Sequence, residues 1–187
     1  ITTTMSGNTV MKTFKWMPHI GMNFNLYVDG LGLLFSLLIT GVGSLVVLYS
    51  IGYLNQSEQL GNFYCYLLLF MGAMLGVVLS DNLIVLYLFW ELTSFSSFLL
   101  ISFWREKQAS LYGAQKSLII TVFGGLSLLG GIILLSVASD SFSLHYIIQH
   151  VAEIQNSPFF ILAMIFILIG AFTKSAQVPF YIWLPDA

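Results

Sequence analysis

Glu91 is the one charged residue in LYLFWELTSFSSFLL (86–100), and Lys174 is the one charged residue in IGAFTKSAQVPF (169–180). A carboxyl group and an amine in apolar surroundings can each bind and release a proton, and each changes the other's charge state. Such a pair is suited to proton movement. Glu91 lies about 12 Å along a helix that begins at Leu83, in a hydrocarbon core about 30 Å thick. A charge at that depth costs roughly 2.5 to 3.5 kcal/mol, so Glu91 is expected to be either neutral or paired, and able to switch. The plainer alternative is a neutral Glu91 that hydrogen-bonds a hydroxyl on a neighbouring helix and only holds helices together. Thr93, Ser94, Ser96 and Ser97 follow closely. Ser94 is a candidate relay among them, although hydroxyls also bond their own backbone.

Lys174 lies about 22 Å along a helix that begins at Phe159. Pro179 then lacks a backbone N–H, clashes with the carbonyl of Ser175 and restricts Val178, which predicts a helix break just past Lys174. Broken helices at membrane depth face protein or wet cavities. If both helices descend from one face, Glu91 and Lys174 differ in depth by roughly 6 to 10 Å, and a lysine stem spans about half of that. A direct pair and a water-bridged pair are equally consistent, and a Lys174 that snorkels to the nearer surface is the simpler alternative. Lys116 is a further candidate relay, against its reading as an interfacial lysine. Asp29, Asp81, Asp140 and Asp186 fall at span ends, where turn and cap roles suffice.

The elements that must position these groups follow from composition. The chain has 187 residues, 58% hydrophobic and 7% charged, with a mean hydropathy of +0.91. That is the composition of a membrane protein. Five stretches meet the length for crossing, at 31–54, 63–79, 83–104, 111–138 and 159–183, and each must be helical to satisfy its backbone in lipid. The fold class is all-α: a polytopic bundle of about five transmembrane helices whose last is broken by proline. QSEQLGN and SDN mark short turns. Gly72 with Gly76, Gly124 with Gly125, and Gly130 with Gly131 allow close helix contact.

Residues 1–30 read as an extramembrane loop, leaving 31–187 as the transmembrane domain. Residues 143–155 read as a short helix along the membrane surface or against the bundle, because Leu144, Ile147, Ile148, Val151 and Ile154 recur at helical spacing. Arg105 and Lys107 make their side of the bundle cytoplasmic, against the opposite pull of Lys12 and Lys15. The net charge of −2 gives no basic face for nucleic acid. Cys65 stands alone, and His145 and His150 are spaced too far apart for facing helix neighbours, so neither metal nor cofactor is expected. The start at Ile1 and the end at LPDA read as those of an internal piece of a longer protein.

LYLFWELTSFSSFLLISFW, GAFTKSAQVPFYIWLPDA and DGLGLLFSLLITGVGSLVVLYSIGYL together resemble the antiporter-like subunits shared by respiratory complex I and the Mrp-type (Mnh) sodium/proton antiporters, nearest in wording to the large subunit of the bacterial Mrp-type complex. The resemblance covers nearly the whole chain. It implies a long bundle of inverted five-helix repeats, each with a broken helix, in a multi-pass protein of the bacterial cell membrane. It also implies that Glu91 and Lys174 belong to proton-translocating machinery, that the other membrane subunits of a hetero-oligomeric complex are the partners, and that Na+ and H+ are exchanged. This stretch alone is not expected to catalyse antiport. The same motifs fit a proton-pumping subunit of complex I or of a membrane-bound hydrogenase, and a purely structural role in the membrane is the alternative of a different class.

Overall fold

The computed structural model describes residues 9–17, 22–54 and 59–187. Among the described residues two strands come first, β1 (Val10–Met17) and β2 (Met22–Val28), paired antiparallel with Val10 opposite Val28 and an irregularity between Lys15 and Met17. The loop expected over 1–30 is therefore corrected to a hairpin across its described residues. Residues 1–8 and 18–21 of that stretch lie outside the described residues. β1 carries no strict apolar alternation, whereas β2 alternates Met22, Phe24, Leu26 and Val28 with Asn23, Asn25 and Tyr27, a short signal that the reading as a loop passed over. The strands are held by contact with the bundle, where the Phe24 ring sits edge-on against Phe89 at 5.8 Å between centroids.

Four helices long and apolar enough to cross a membrane follow: α1 (Gly30–Tyr53), α2 (Leu60–Leu79), α3 (Leu83–Ile101) and α4 (Gln108–Ser139). The turn expected at QSEQLGN lies partly outside the described residues, at 56–58. Local chemistry sets the starts of α1 and α3. The Gly32 N–H donates to Asp29 Oδ1 at 2.6 Å to begin α1, and Asn82 Oδ1 accepts from Ile84 N–H at 3.0 Å and Val85 N–H at 3.3 Å to begin α3. These side chains satisfy amides that a helix leaves unpaired at its N-terminus. α4 ends at Asp140 in the left-handed region, φ 53°.

The linker forms two short helices, α5 (Leu144–Gln149) and α6 (Val151–Ile154), in place of the single short helix expected over 143–155 along the membrane surface or against the bundle. Ile147 and Ile154 are buried with Leu83, Leu128, Ile132, Leu135 and Ala163, so the linker packs into the core of the bundle. Next comes α7 (Phe160–Lys174), whose 15 residues rise about 22 Å, short of a 30 Å hydrocarbon core. A 3-10 helix, Phe180–Asp186, completes the chain. The fifth span expected over 159–183 is thus a shorter apolar helix with a separate continuation.

Asp81, 3% exposed, joins hairpin, bundle and linker. Its amide donates to the Asn25 carbonyl at 3.0 Å and its carbonyl accepts from Leu144 N–H at 2.8 Å. Its carboxylate accepts from Ser143 Oγ at 2.7 Å and from His145 N–H at 2.8 Å. The expectation of a cap is met from a different segment, since Asp81 caps α5 across the fold. Asp81→Ala would leave buried donors unmatched, each charged bond being worth about 1.5 to 3 kcal/mol. Amide exchange at His145 in the assembled protein should accelerate by about tenfold to a hundredfold. An unchanged rate would mean that Ser143 holds the linker without Asp81.

Candidate functional site

α3, α4 and α7 meet where the small residues of α4 face both neighbours. A Cβ on Gly131 would sit 2.8 Å from the Ala163 carbonyl oxygen, and one on Gly170 would sit 2.9 Å from the Gly124 carbonyl oxygen. α4 and α7 are therefore in backbone contact, a spacing that only glycine allows. Gly124 lies against the Thr173 side chain, and Gly125 lies against Glu91 Oε1, where a Cβ would collide with the carboxylate. The sequence analysis read Gly124, Gly125 and Gly131 as packing residues. Gly125 also makes room for a charged group.

α7 ends in a hydrogen-bonded reversal. The Gln177 amide donates to the Phe172 carbonyl at 2.9 Å and the Ala176 amide to the Thr173 carbonyl at 3.4 Å, with Ala176 at φ 52°. This is the Schellman arrangement, with alanine where glycine is usual. The stop falls at Lys174, as Pro179 suggests, but Ala176 makes the turn and Pro179 starts the next element. The Thr173 carbonyl, freed by the break, also accepts from the Trp183 indole N–H at 3.0 Å. That bond folds the 3-10 helix back toward α7.

The break leaves the Lys174 amine against α3. Its Nζ donates to Ser94 Oγ at 2.6 Å and to the Trp90 carbonyl at 3.5 Å. It also lies 5.5 Å from the centroid of the Trp90 ring. Glu91, half-buried on the same helix, has a buried Oε1 without a hydrogen-bond partner. Among the described residues no ion pair joins it to Lys174. The structure thus brings Glu91, Lys174 and Ser94 into one cluster with the amine withdrawn to Ser94. Thr93 and Ser96 donate to carbonyls of their own helix at 2.7 Å each.

Lys116 is not part of this cluster. It is nine residues before Gly125 on α4, about 13 Å along the axis, and its Nζ pairs with Asp186 Oδ2 at 2.5 Å. The turn or cap role expected for Asp186 is corrected accordingly. The returning 3-10 helix lays the Asp186 carbonyl on Gly113, and that contact brings its carboxylate to Lys116. The pair is partly exposed, 26% at Lys116 and 39% at Asp186. Sequence reasoning missed Trp90, Gly125 and Asp186. A tryptophan before the glutamate reads as belt or core, and nothing local signals a contact 70 residues away.

Residues 80–187 match the family described as "NADH:quinone oxidoreductase/Mrp antiporter, TM", and residues 16–64 match "NADH-Ubiquinone oxidoreductase (complex I), chain 5 N-terminus". Over 187 residues the chain is 86% identical to the Na(+)/H(+) antiporter A1 subunit of Staphylococcus aureus strain bovine RF122 / ET3-1, covering 100% of this chain and 23% of that protein. It is 85% identical, with the same coverage, to the protein of the same name in strain JH9. Among solved structures, a chain of the Mrp complex from Dietzia sp. DQ12-45-1b superposes with a TM-score of 0.87 at 35% identity, over 95% of this chain and 20% of that one. The chain spans about a quarter of the length of the curated relatives it matches.

Proposed function

Because the chain belongs to the NADH:quinone oxidoreductase/Mrp antiporter transmembrane family, we propose that its helices form a proton-conducting unit within a multi-subunit monovalent cation/proton antiporter of a bacterial cell membrane. The complex exchanges cytoplasmic Na+ for external H+, with the Arg105 side facing the cytoplasm, and the other membrane subunits are its partners. Identity of 86% to a protein named for Na(+)/H(+) antiport supports antiport over a role in quinone reduction.

In this reading Glu91 is the proton-binding group and Lys174 the mobile positive charge that answers it. The observation that carries the reading is the buried Glu91 Oε1, free of any hydrogen bond and set against Gly125, close to an amine held by Ser94. A carboxylate oxygen without a partner can take a proton without first breaking a bond. Protonation removes the charge that attracts Lys174, and release restores it, so proton occupancy and amine position are coupled. Hydroxyls that donate to their own helix, as Thr93 and Ser96 do, keep oxygen lone pairs available to line a wet path. Lys116 and Asp186 stand farther along α4 as a charged pair between this cluster and the Arg105 side.

The test is Glu91→Gln in the complete complex, assayed in inverted vesicles for Na+-dependent collapse of a pH gradient. The exchange rate should fall about 100-fold or more, as for loss of an essential proton-transfer group, at normal complex content. Wild-type exchange would return Glu91 to a packing role.

A further inference from the structure

We propose that Trp90 is a positioning residue for Lys174: its indole face and backbone carbonyl, together with Ser94, hold the ammonium away from the Glu91 carboxylate. The inference rests on the proton-site reading above and adds the group that sets where the amine waits.

An ammonium has three N–H donors and needs three acceptors when it leaves water. Ser94 Oγ at 2.6 Å takes one. The Trp90 carbonyl at 3.5 Å takes a second, weakly, because the same oxygen already accepts from Thr93 Oγ1 at 2.7 Å and lies 3.4 Å from Ser94 Oγ. The third direction is met by the Trp90 ring, 5.5 Å from Nζ at its centroid. The negative face of an indole attracts a cation more strongly than phenylalanine or tyrosine does, most of all where water is excluded. All three acceptors sit on α3 and none carries a charge. The ammonium can therefore remain there when Glu91 is protonated and offers no counter-charge.

Packing alone is a poor account of tryptophan at this position. Trp90 is partly buried beside the apolar core that includes Leu83 and Ile132, and its Nε1 is buried without a hydrogen-bond partner. A site that needed only volume would avoid the unmatched donor by using phenylalanine or leucine. The face of the ring, which those residues reproduce in part or not at all, is what the amine uses.

The experiment is done on the complete complex in inverted vesicles, with Na+-dependent collapse of the pH gradient as the readout and complex content measured in the same membranes. Trp90→Phe should exchange about threefold more slowly than wild type and Trp90→Leu about tenfold or more, following the fall in cation attraction. Equal rates for Phe and Leu, or wild-type rates for both, would overturn the proposal. If Trp90→Leu fails to assemble, the decision passes to phenylalanine at 90 compared with its mono-, di- and trifluorinated analogues, introduced by codon suppression. Fluorination drains the ring face at nearly constant volume, so a graded fall in rate supports the proposal and a flat series overturns it. Glu91→Gln, run beside them, separates the two ideas. Loss there with a flat series at position 90 removes the role of Trp90 alone, and full activity there removes the proton site itself.

Discussion

Lys174→Ala in the complete complex is expected to abolish Na+-dependent collapse of the pH gradient while the complex still assembles. The Lys174 amine is held by α3, through Ser94 and Trp90. The packing of α7 on α4 runs through Ala163, Ile167, Gly170 and Thr173 instead. The reversal that ends α7 is built from the backbone of Phe172, Thr173, Ala176 and Gln177, and alanine is the best helix former for the vacated position. Removing the amine leaves Ser94 with one hydrogen bond fewer, worth about 1 kcal/mol. It also leaves Glu91 without a cation among its near neighbours. Lys174→Arg should exchange more slowly as well, since a broad planar guanidinium keeps the charge but does not reproduce the compact ammonium's fit to Ser94 Oγ, the Trp90 carbonyl and the Trp90 ring. Exchange above about a tenth of the wild-type rate in the alanine variant would be far too much for loss of an essential proton-transfer partner and would remove Lys174 from the proposed route.

Gly125→Ala and Gly131→Ala, six residues apart on one helix, should fail for different reasons. A methyl group at Gly125 would strike Glu91 Oε1, the far end of a flexible side chain. The carboxylate can swing aside, so the bundle keeps its stability while the proposed proton-binding group leaves its place, and exchange should drop by about tenfold or more. A methyl group at Gly131 meets the Ala163 carbonyl oxygen at 2.8 Å and the Ile167 amide nitrogen at 2.9 Å. Backbone cannot swing aside, so α4 and α7 must separate, an overpacking that costs about 1 to 3 kcal/mol. That variant should lose thermal stability in detergent as well as exchange. The measurement is therefore a pair, heat resistance of the purified complex and exchange in vesicles. Equal heat resistance with equal exchange in both variants would contradict the helix contacts described above.

The membrane helices and the break after Lys174 were legible in the sequence, because length, hydropathy and proline act locally. The manner of the break was less legible. Pro179 announces that the helix cannot continue, but the left-handed turn belongs to Ala176, a residue type with no tendency to advertise it. The hairpin was missed because β1 lacks period-two alternation, because the alternation of β2 is one short run among polar residues, and because the pair leans on α3 through Phe24, a contact with no local signature. In the candidate site, Glu91 and Lys174 stood out because charge is rare in this chain. Trp90 and Gly125 did not, since aromatic and small residues are common in membrane helices and gain meaning only from what faces them. Asp186 was assigned a local role because its partner, Lys116, is 70 residues distant, beyond what spacing along the chain can reveal.

The resting place of the Lys174 amine has an electrical consequence. Ser94, which holds it, is three residues beyond Glu91 on α3, a rise of about 4.5 Å. That is roughly 15% of a 30 Å hydrocarbon core. Moving one elementary charge through the whole membrane potential is worth about 2.3 kcal/mol per 100 mV. An amine that shuttles between Ser94 and Glu91 therefore feels about 0.3 kcal/mol per 100 mV, less than thermal energy. On the proposed route voltage would have little purchase on the lysine, and the electrical work of exchange would fall on the protons that travel between Glu91 and the two membrane surfaces.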